Sequence, residues 1–320
     1  MLAIGVDIGG TSIKTGLVNE SGEILQKWVL PIVKDRNGEE TIVALGAQIR
    51  EGLEALGIAK KNIKGIGIGC PGSIDSENGT CDFAGNLNWE KLPIVPILEK
   101  ELGIPSFITN DANAGALGEA IFGAAKGKKN VILITLGTGV GGGLILDGKL
   151  YEGNKSKGAE LGHSLLVMDG RPCTCGRKGC IEAYASVTAL ISDTKAMMVE
   201  DPDSAMWDYV NGDIEQVNGK TAFECAKKGD VSAQKVVDQY IHFLGESLIN
   251  FINVFRPETI VLGGGLSGQK ESLTKPVIHY LREREYGFGG LLSPMVDIVV
   301  SNLGNDAGIL GAASLVYNAK

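Results

Sequence analysis

The chain has 320 residues, of which 44% are hydrophobic and 21% are charged, as is ordinary for a soluble globular protein with one large domain or two smaller ones. Its net charge of −8 argues against a nucleic-acid-binding surface. No apolar run reaches the roughly 18 residues that a membrane span needs. The amino terminus has no basic region and no cleavage site, so we expect a cytoplasmic protein with reduced thiols.

The first half of the chain opens with a predicted β-hairpin over residues 2–18, in which two apolar runs flank a glycine turn. Hydrophobic periodicity and turn residues predict the elements that follow. They are a strand at 24–33, an amphipathic helix at 41–57, a buried strand at 63–72, a helix at 94–103, a strand at 105–111 and a small-residue helix at 112–125.

The second half repeats this order, starting with a glycine hairpin at residues 131–146. A long helix at 232–255, a strand at 258–265 and a closing helix at 305–319 follow, while the polar stretch 200–220 is expected to be an exposed excursion. The repeat indicates two related α/β domains with mixed sheets. We expect an N-terminal domain of residues 1–110 plus the closing helix, about 304–320, and a larger C-terminal domain of residues 111–303.

A histidine and three cysteines in residues 158–182 form the most specific pattern of the chain. The cysteines have the spacing C-x-C-x4-C, and Cys3His is a closed ligand set for structural zinc. Buried thiols or a redox set are the alternatives, but the spacing, the histidine and the reducing compartment favour zinc. The predicted ligands are His163, Cys173, Cys175 and Cys180.

Two glutamates, Glu160 and Glu182, flank these ligands. A zinc ion would fix the two acidic side chains near each other, which suits the binding of sugar hydroxyl groups. We therefore expect zinc to support the sugar contacts rather than the glycine turns, which lie elsewhere in the sequence. Asn86 and Asn88 are further candidates for sugar contacts, with ordinary turn asparagines as the alternative.

The two glycine turns are candidate phosphate sites, because glycine lets backbone N–H groups approach phosphate oxygens. Neither turn matches a Walker A loop or a dinucleotide fingerprint, and a plain hairpin turn is the alternative. Two such turns facing each other across a cleft would make an ATP site, in which Asp7 could face Mg²⁺ through water. The residues concerned are Asp7, Gly9, Gly10, Thr11 and Lys14 in the first hairpin and Gly137, Thr138 and Gly139 in the second.

Two further sites lie where predicted strands end. Asn110 and Asp111 lie at a sheet edge, where open α/β sheets bind ligands, although Asp111 could instead only cap the following helix. Gly264 and Gly265 follow an apolar strand and are candidate contacts for an adenosine ring, with a simple strand-end turn as the alternative.

Five motifs occur in order and intact: D-x-G-G-T-x-x-K, N-D-A-N-A-x-A-L-G-E, L-G-T-G-V-G-G-G, E-x-G-H and C-x-C-G-x-x-G-C-x-E. Together they resemble the ROK (repressor, open reading frame, kinase) family over essentially the whole chain, and most of all its bacterial ATP-dependent glucokinases. The resemblance implies a two-domain, actin/hexokinase-like (ribonuclease H-like) α/β fold with mixed sheets and an interdomain cleft. Because the first hairpin begins at residue 2, we expect no helix-turn-helix of the repressor branch.

The resemblance also implies transfer of the γ-phosphoryl group of ATP to the 6-hydroxyl of a hexose, with Asp111 as the catalytic base. Thr11 and Thr138 would contact phosphates, Asp7 would help to hold Mg²⁺, and structural zinc would use one nitrogen of His163 while the other faces the sugar. Lys14 also matches the family motif, but the match implies no specific role for it. Family members are commonly dimers or tetramers. The implied sugar contacts are Asn86, Asn110, Glu160, His163 and Glu182.

Glucose is the expected hexose. A kinase for N-acetylmannosamine, N-acetylglucosamine, fructose or allose is one alternative, because the same acidic contacts serve several sugars. A sugar-binding regulator without catalytic activity is the other, although the intact Asp111 and both glycine hairpins argue against it.

Overall fold

The computed structural model describes residues 1–33, 36–284 and 296–318, and these residues form thirteen strands and ten helices. The strands are β1 (Leu2–Ile8), β2 (Ser12–Val18), β3 (Ile24–Pro31), β4 (Ile63–Cys70), β5 (Ser73–Asp75), β6 (Thr80–Ala84), β7 (Trp89–Leu92), β8 (Ser106–Asn110), β9 (Val131–Leu136), β10 (Val140–Leu146), β11 (Lys149–Tyr151), β12 (Thr259–Gly263) and β13 (Asp297–Val300). The helices are α1 (Gly38–Ala55), α2 (Ile94–Leu102), α3 (Asp111–Ile121), α4 (Glu182–Ala185), α5 (Val187–Glu200), α6 (Ala205–Tyr209), α7 (Thr221–Ala226), α8 (Val231–Phe255), α9 (Glu271–Arg284) and α10 (Ala307–Asn318).

The first sheet has the strand order β3-β2-β1-β4-β8. The predicted hairpin pairs β1 with β2 in antiparallel fashion, whereas β1, β4 and β8 run parallel. The sheet is therefore mixed, as expected, and the carboxyl ends of its three parallel strands share one edge. Asp7 lies near the end of β1, and Asn110 ends β8 at that edge.

Strand β4, with the sequence IKGIGIGC, has two faces of different composition because side chains alternate along a strand. Ile66 and Ile68 lie in the hydrophobic core that includes Ile42 and Leu45 of α1. Gly67 faces the other way, where an added Cβ would overlap the Ala312 carbonyl of α10. The glycine face thus lets the backbone of α10 contact the sheet.

The other two sheets are also defined by their strand order. One has the order β11-β10-β9-β12-β13, with an antiparallel β10–β11 pair and a parallel β12–β13 pair. The third is the antiparallel sheet β5-β6-β7. Within the described residues, no helix is long and apolar enough to span a membrane.

The chain forms two compact units. The first contains residues 1–133, 143–159 and 302–320, and the second contains residues 134–142 and 160–301. Helix α3 and the closing helix α10 both lie in the first unit. Because a compact unit is not by itself an independently folding domain, the domain boundary near residue 110 stays a prediction.

Most predicted elements are present with shifts of one to three residues at their ends, and residue 319 of the predicted closing helix lies outside the described residues. The stretch 200–220 is mostly exposed, as predicted, but it is not a featureless excursion. This stretch forms α6 and buries Met206, Val210 and Val217, since three spaced apolar side chains suffice to anchor an otherwise polar segment. The sheet β5-β6-β7 was not anticipated, because its strands are only three to five residues long.

We expect Gly67→Ala to destabilise the protein by about 1–3 kcal/mol, the usual cost of overpacking. The added methyl group would displace the Ala312 carbonyl and move α10 away from the sheet. Gly268→Ala is the matched control, because its added Cβ meets no atom within 4 Å. Thermal unfolding measures both variants, and equal melting temperatures would show that α10 adjusts without cost.

Candidate active site

The first glycine turn holds Asp7 beside a cation. Asp7 pairs in register with Lys14 across the hairpin, and the Lys14 Nζ to Asp7 Oδ2 distance is 3.9 Å. The Gly9 N–H donates to the Ser12 carbonyl at 3.0 Å and closes the turn. Burial raises the pKa of Asp7, the Lys14 ammonium opposes that shift, and the Asp111 carboxylate adds to it. Asp7 and Asp111 are therefore electrostatic neighbours within the first unit.

Asp111 is the first residue of α3, where the end of β8 passes directly into the helix. Asn110 is the N-cap, and its Oδ1 accepts from the Ala112 N–H at 2.9 Å, while its Nδ2 donates to the Gly72 carbonyl at 3.1 Å. Asp111 Oδ1 also accepts from the Ala112 N–H at 2.9 Å. The N-cap at this junction is thus Asn110 and not Asp111, and the Asp111 side chain is exposed.

The Asp111 side chain is accessible to water, yet the surrounding protein atoms desolvate its carboxylate. That desolvation raises the pKa of Asp111, although the backbone N–H groups of Ala112 and Asp111 lower it in part. An accessible carboxylate with a raised pKa is suited to accept a proton from a bound hydroxyl group.

Asn86 lies beside the first glycine turn. A Cβ added at Gly10 would lie 3.6 Å from Asn86 Nδ2, so the amide is within reach of a ligand held by this turn. Thr11 is exposed, and its carbonyl accepts from the Ile32 N–H at 2.9 Å, which anchors the turn to the chain after β3. The first unit thus brings Asp7, Lys14 and Asp111 together, with Asn86 at the turn.

The second glycine turn, residues 137–139, is fixed by its backbone carbonyls. The Gly137 carbonyl accepts from the Val187 N–H at 2.8 Å, and the Thr138 carbonyl accepts from the Thr188 hydroxyl at 2.7 Å. Both donors begin helix α5. No sequence motif predicts these contacts, because residues 50 positions apart supply them.

Glu182 joins the second glycine turn to the cysteine loop. Its Oε2 accepts from the Val140 N–H at 3.0 Å, just after the turn, and its Oε1 accepts from the Thr174 hydroxyl at 2.8 Å. Cys173 Sγ lies 3.6 Å from the same Oε1. The expectation that zinc supports the sugar contacts rather than the glycine turns stays a prediction, but the turn is not independent of the cysteine loop, because Glu182 contacts both.

His163, Cys173, Cys175 and Cys180 form one cluster, with ligand atoms within 4.8 Å of one another. Cys175 Sγ lies 3.7 Å from Cys180 Sγ, and Cys173 Sγ lies 3.6 Å from His163 Nδ1. Tetrahedral zinc with Zn–S bonds of about 2.3 Å places two sulfurs about 3.8 Å apart. The four side chains therefore fit a zinc ion of the closed, structural kind.

The remaining predicted residues lie in the second unit. Glu160 precedes the turn Leu161–His163 and has an exposed side chain, while its carbonyl accepts from the His163 N–H at 3.1 Å. Gly264 has a left-handed φ of 78° and packs against the backbone of Leu136, and Gly265 follows it. The candidate adenosine turn therefore lies directly beside the strand that enters the second glycine turn.

Comparisons with known proteins decide the family. The ROK family model matches residues 3–319. The chain belongs to the ROK family. It is similar to a glucokinase from Thermotoga maritima, with 37% identity over 98% of this chain and 96% of that protein. A solved ROK glucokinase from Streptomyces griseus, in complex with glucose and AMPPNP, is 36% identical with a TM-score of 0.81, covering 98% of this chain and 99% of that one.

The family also contains regulators. A xylose repressor from Caldicellulosiruptor bescii is 30% identical over 98% of this chain but over only 78% of its own length. The resemblance inferred from the five motifs is confirmed, and so is the two-domain, actin/hexokinase-like α/β fold with mixed sheets. The predicted interdomain cleft stays a prediction.

We expect Cys175→Ala to lose zinc and to weaken nucleotide binding as well as glucose binding, each by about 10–100-fold. The reason is that Glu182 contacts both the cysteine loop and the second glycine turn. Elemental analysis should find about one zinc per chain in the wild-type protein, and calorimetry measures the AMPPNP and glucose dissociation constants. Cys225→Ala, at a buried cysteine outside the cluster, should keep the metal. Intact AMPPNP binding with weakened glucose binding would restrict zinc to the sugar contacts.

Proposed function

We propose that this ROK protein transfers the γ-phosphoryl group of ATP to the 6-hydroxyl of glucose. The observation that carries the proposal is Asp111, an accessible carboxylate with a raised pKa that neighbours Asp7 and the first glycine turn. The glucokinase from Thermotoga maritima and the Streptomyces griseus structure with glucose and AMPPNP support the same reaction.

Asp111 acts as the catalytic base. It accepts the proton of the sugar hydroxyl as the oxygen forms its bond to the γ-phosphorus and the bond to the leaving β-phosphate oxygen breaks. Such a transfer depends mainly on positioning and on neutralisation of charge. Placing Asp111 at the first residue of a helix fixes its backbone, because Asn110 caps that helix and also binds the Gly72 carbonyl.

The nucleotide contacts are assigned to the two glycine turns. Thr11 and Thr138 contact phosphates, and Gly264 and Gly265 adjoin the adenosine. Mg²⁺ supplies charge neutralisation on the phosphates when it is bound. Asp7 fits this ion through water, because it is a carboxylate at a strand end with a second carboxylate, Asp111, as its neighbour. Lys14, which pairs with Asp7, limits the negative charge of this site.

The sugar contacts are assigned to Asn86, Asn110, Glu160, His163 and Glu182. His163 faces Cys173 with Nδ1, so Nε2 is left to face the sugar while Nδ1 serves the zinc ion. The zinc ion is structural, since four protein ligands fill a tetrahedron. We place the enzyme in the cytoplasm, where ATP and reduced cysteines are both found, and expect a homo-oligomer that binds neither nucleic acid nor membrane.

A regulator without catalytic activity is the second candidate, favoured by the 30% identity to a xylose repressor. A regulator needs the sugar contacts but no base. Asp111 with its raised pKa and the backbone-anchored second turn are features that sugar binding alone does not require. ATP turnover in the presence of sugar separates the two functions.

We expect glucose to give the highest kcat/KM in a panel of hexoses with ATP. The panel contains glucose, fructose, allose, N-acetylglucosamine and N-acetylmannosamine, and ADP release measures turnover. A higher kcat/KM for another sugar would reassign the substrate. No ADP release with any of them, together with saturable glucose binding, would favour the regulator.

We expect Asp111→Asn to lower kcat by about 10²–10⁴-fold, as loss of a general base does. Its melting temperature should equal or exceed that of wild type. The folded-state pKa of Asp111 is raised, so the ionised carboxylate destabilises the fold above its unfolded pKa, and neutral asparagine removes that cost. Wild-type kcat/KM should fall as the pH drops through the raised pKa of Asp111.

The control is Asp238→Asn, at an exposed position on α8, which should change neither property. An Asp111→Asn variant that keeps turnover within a few-fold of wild type would make Asp111 a helix-terminal residue without a catalytic role.

A further inference from the structure

A buried hydrogen-bonded set lies behind the catalytic end of β8. The Thr109 side chain is fully buried, and its hydroxyl donates to Glu152 Oε1 at 2.5 Å. The same hydroxyl oxygen accepts from Asn113 Nδ2 at 3.3 Å. All three residues belong to the first unit, and Thr109 and Asn113 flank Asn110 and Asp111 in sequence.

The Thr109–Glu152 bond has the length of a charge-assisted O–H···O⁻ bond, about 2.5–2.7 Å. Burial raises the pKa of Glu152, and the Thr109 hydroxyl lowers it in part. A half-buried carboxylate is costly to desolvate, and an apolar pair of similar shape would avoid that cost. We therefore explain this hydrogen bond by its effect on the position of the β8 backbone, and not by a contribution to packing.

That backbone is the end of an edge strand. Within the first sheet β8 is the last strand, so only its β4 side is paired there, with Cys70 opposite Asn110. Glu152 follows β11 directly and reaches β8 through a side chain. The Thr109–Glu152 bond thus supplies a second anchor, one residue before Asn110 and two before Asp111.

We propose that Glu152 is a positioning residue, which fixes through Thr109 the strand end that presents Asn110 and Asp111 to the sugar. The inference rests on the proposed function, in which Asp111 takes the hydroxyl proton. A reacting group displaced by 1 Å can lose on the order of 10²-fold in rate. Loss of the anchor should therefore lower kcat for glucose far more than it changes the KM for ATP.

The experiment compares Glu152→Ala, Glu152→Gln, Thr109→Val and the double variant Glu152→Ala/Thr109→Val. We expect Glu152→Ala and Thr109→Val each to lower kcat by about 10-fold or more, with the KM for ATP within two-fold of wild type. Glu152→Gln keeps an oxygen acceptor and should restore most of kcat. The double variant should be no worse than either single one, because both remove the same bond.

Glu77→Gln is the matched control. Glu77 and Glu152 line the same cavity of about 1100 Å³ in the first unit, but the Thr109 hydroxyl donates its hydrogen bond to Glu152. It should leave kcat unchanged. All kinetics are measured well below each variant's melting temperature. If Glu152→Ala fails to fold, Glu152→Gln and Thr109→Val still decide whether the Thr109–Glu152 bond positions the end of β8.

Three results would overturn the proposal: wild-type kcat in Thr109→Val, equal loss in Glu152→Gln and Glu152→Ala, or losses that add in the double variant. Hydrogen exchange of residues 106–113 gives a readout independent of turnover. Loss of the bond should speed exchange there, and unchanged exchange would contradict the anchor. If instead the wild-type protein turned over no hexose, the proposed function would fail, and faster exchange with weaker glucose binding would still support the anchor.

Discussion

The close packing of α10 on the first sheet is the constraint that positions Asp7 and Asp111 in the first unit. Added Cβ atoms at Gly5 and Gly67 would overlap carbonyls of α10, and one at Gly311 would overlap the Ala114 carbonyl of α3. Helix α10 therefore contacts the sheet on one side and α3 on the other, backbone to backbone. The separation between β1 and α3, and hence between Asp7 and Asp111, is set by these contacts rather than by adaptable side chains.

A second constraint acts in the other unit, where one carboxylate serves two structures. Glu182 accepts from the Val140 N–H beside the glycine turn and from Thr174 in the cysteine loop. The cysteine loop and the second glycine turn therefore share the Glu182 side chain. Helix α5 adds to this anchoring, because its first residues donate hydrogen bonds to the carbonyls of Gly137 and Thr138.

The features that could be predicted from the sequence are those formed by residues close together along the chain. The glycine hairpins, the long helix α8 and the cluster of His163 with three cysteines are encoded by residues close to one another along the chain, and their residue types admit few structures. The contact between Glu152 and Thr109, by contrast, spans 43 positions. Neither residue belongs to a motif, and only the tertiary fold brings them together. The same holds for Thr188 at the second turn, and for Met206, whose burial gave the polar stretch 200–220 its order.

The charges of Asp7 and Asp111 show why the close backbone contacts in the first unit are needed. Burial raises the pKa of both Asp7 and Asp111, the Asp111 carboxylate raises that of Asp7 further, and the Lys14 ammonium opposes the shift at Asp7. Two neighbouring carboxylates tend to separate unless the backbone prevents it. The close contacts of α10 with the glycine face, the Asn110 cap and the Thr109–Glu152 hydrogen bond all hold the backbone that carries these carboxylates. The first unit therefore holds the Asp7 and Asp111 carboxylates near each other, although burial makes their ionisation unfavourable.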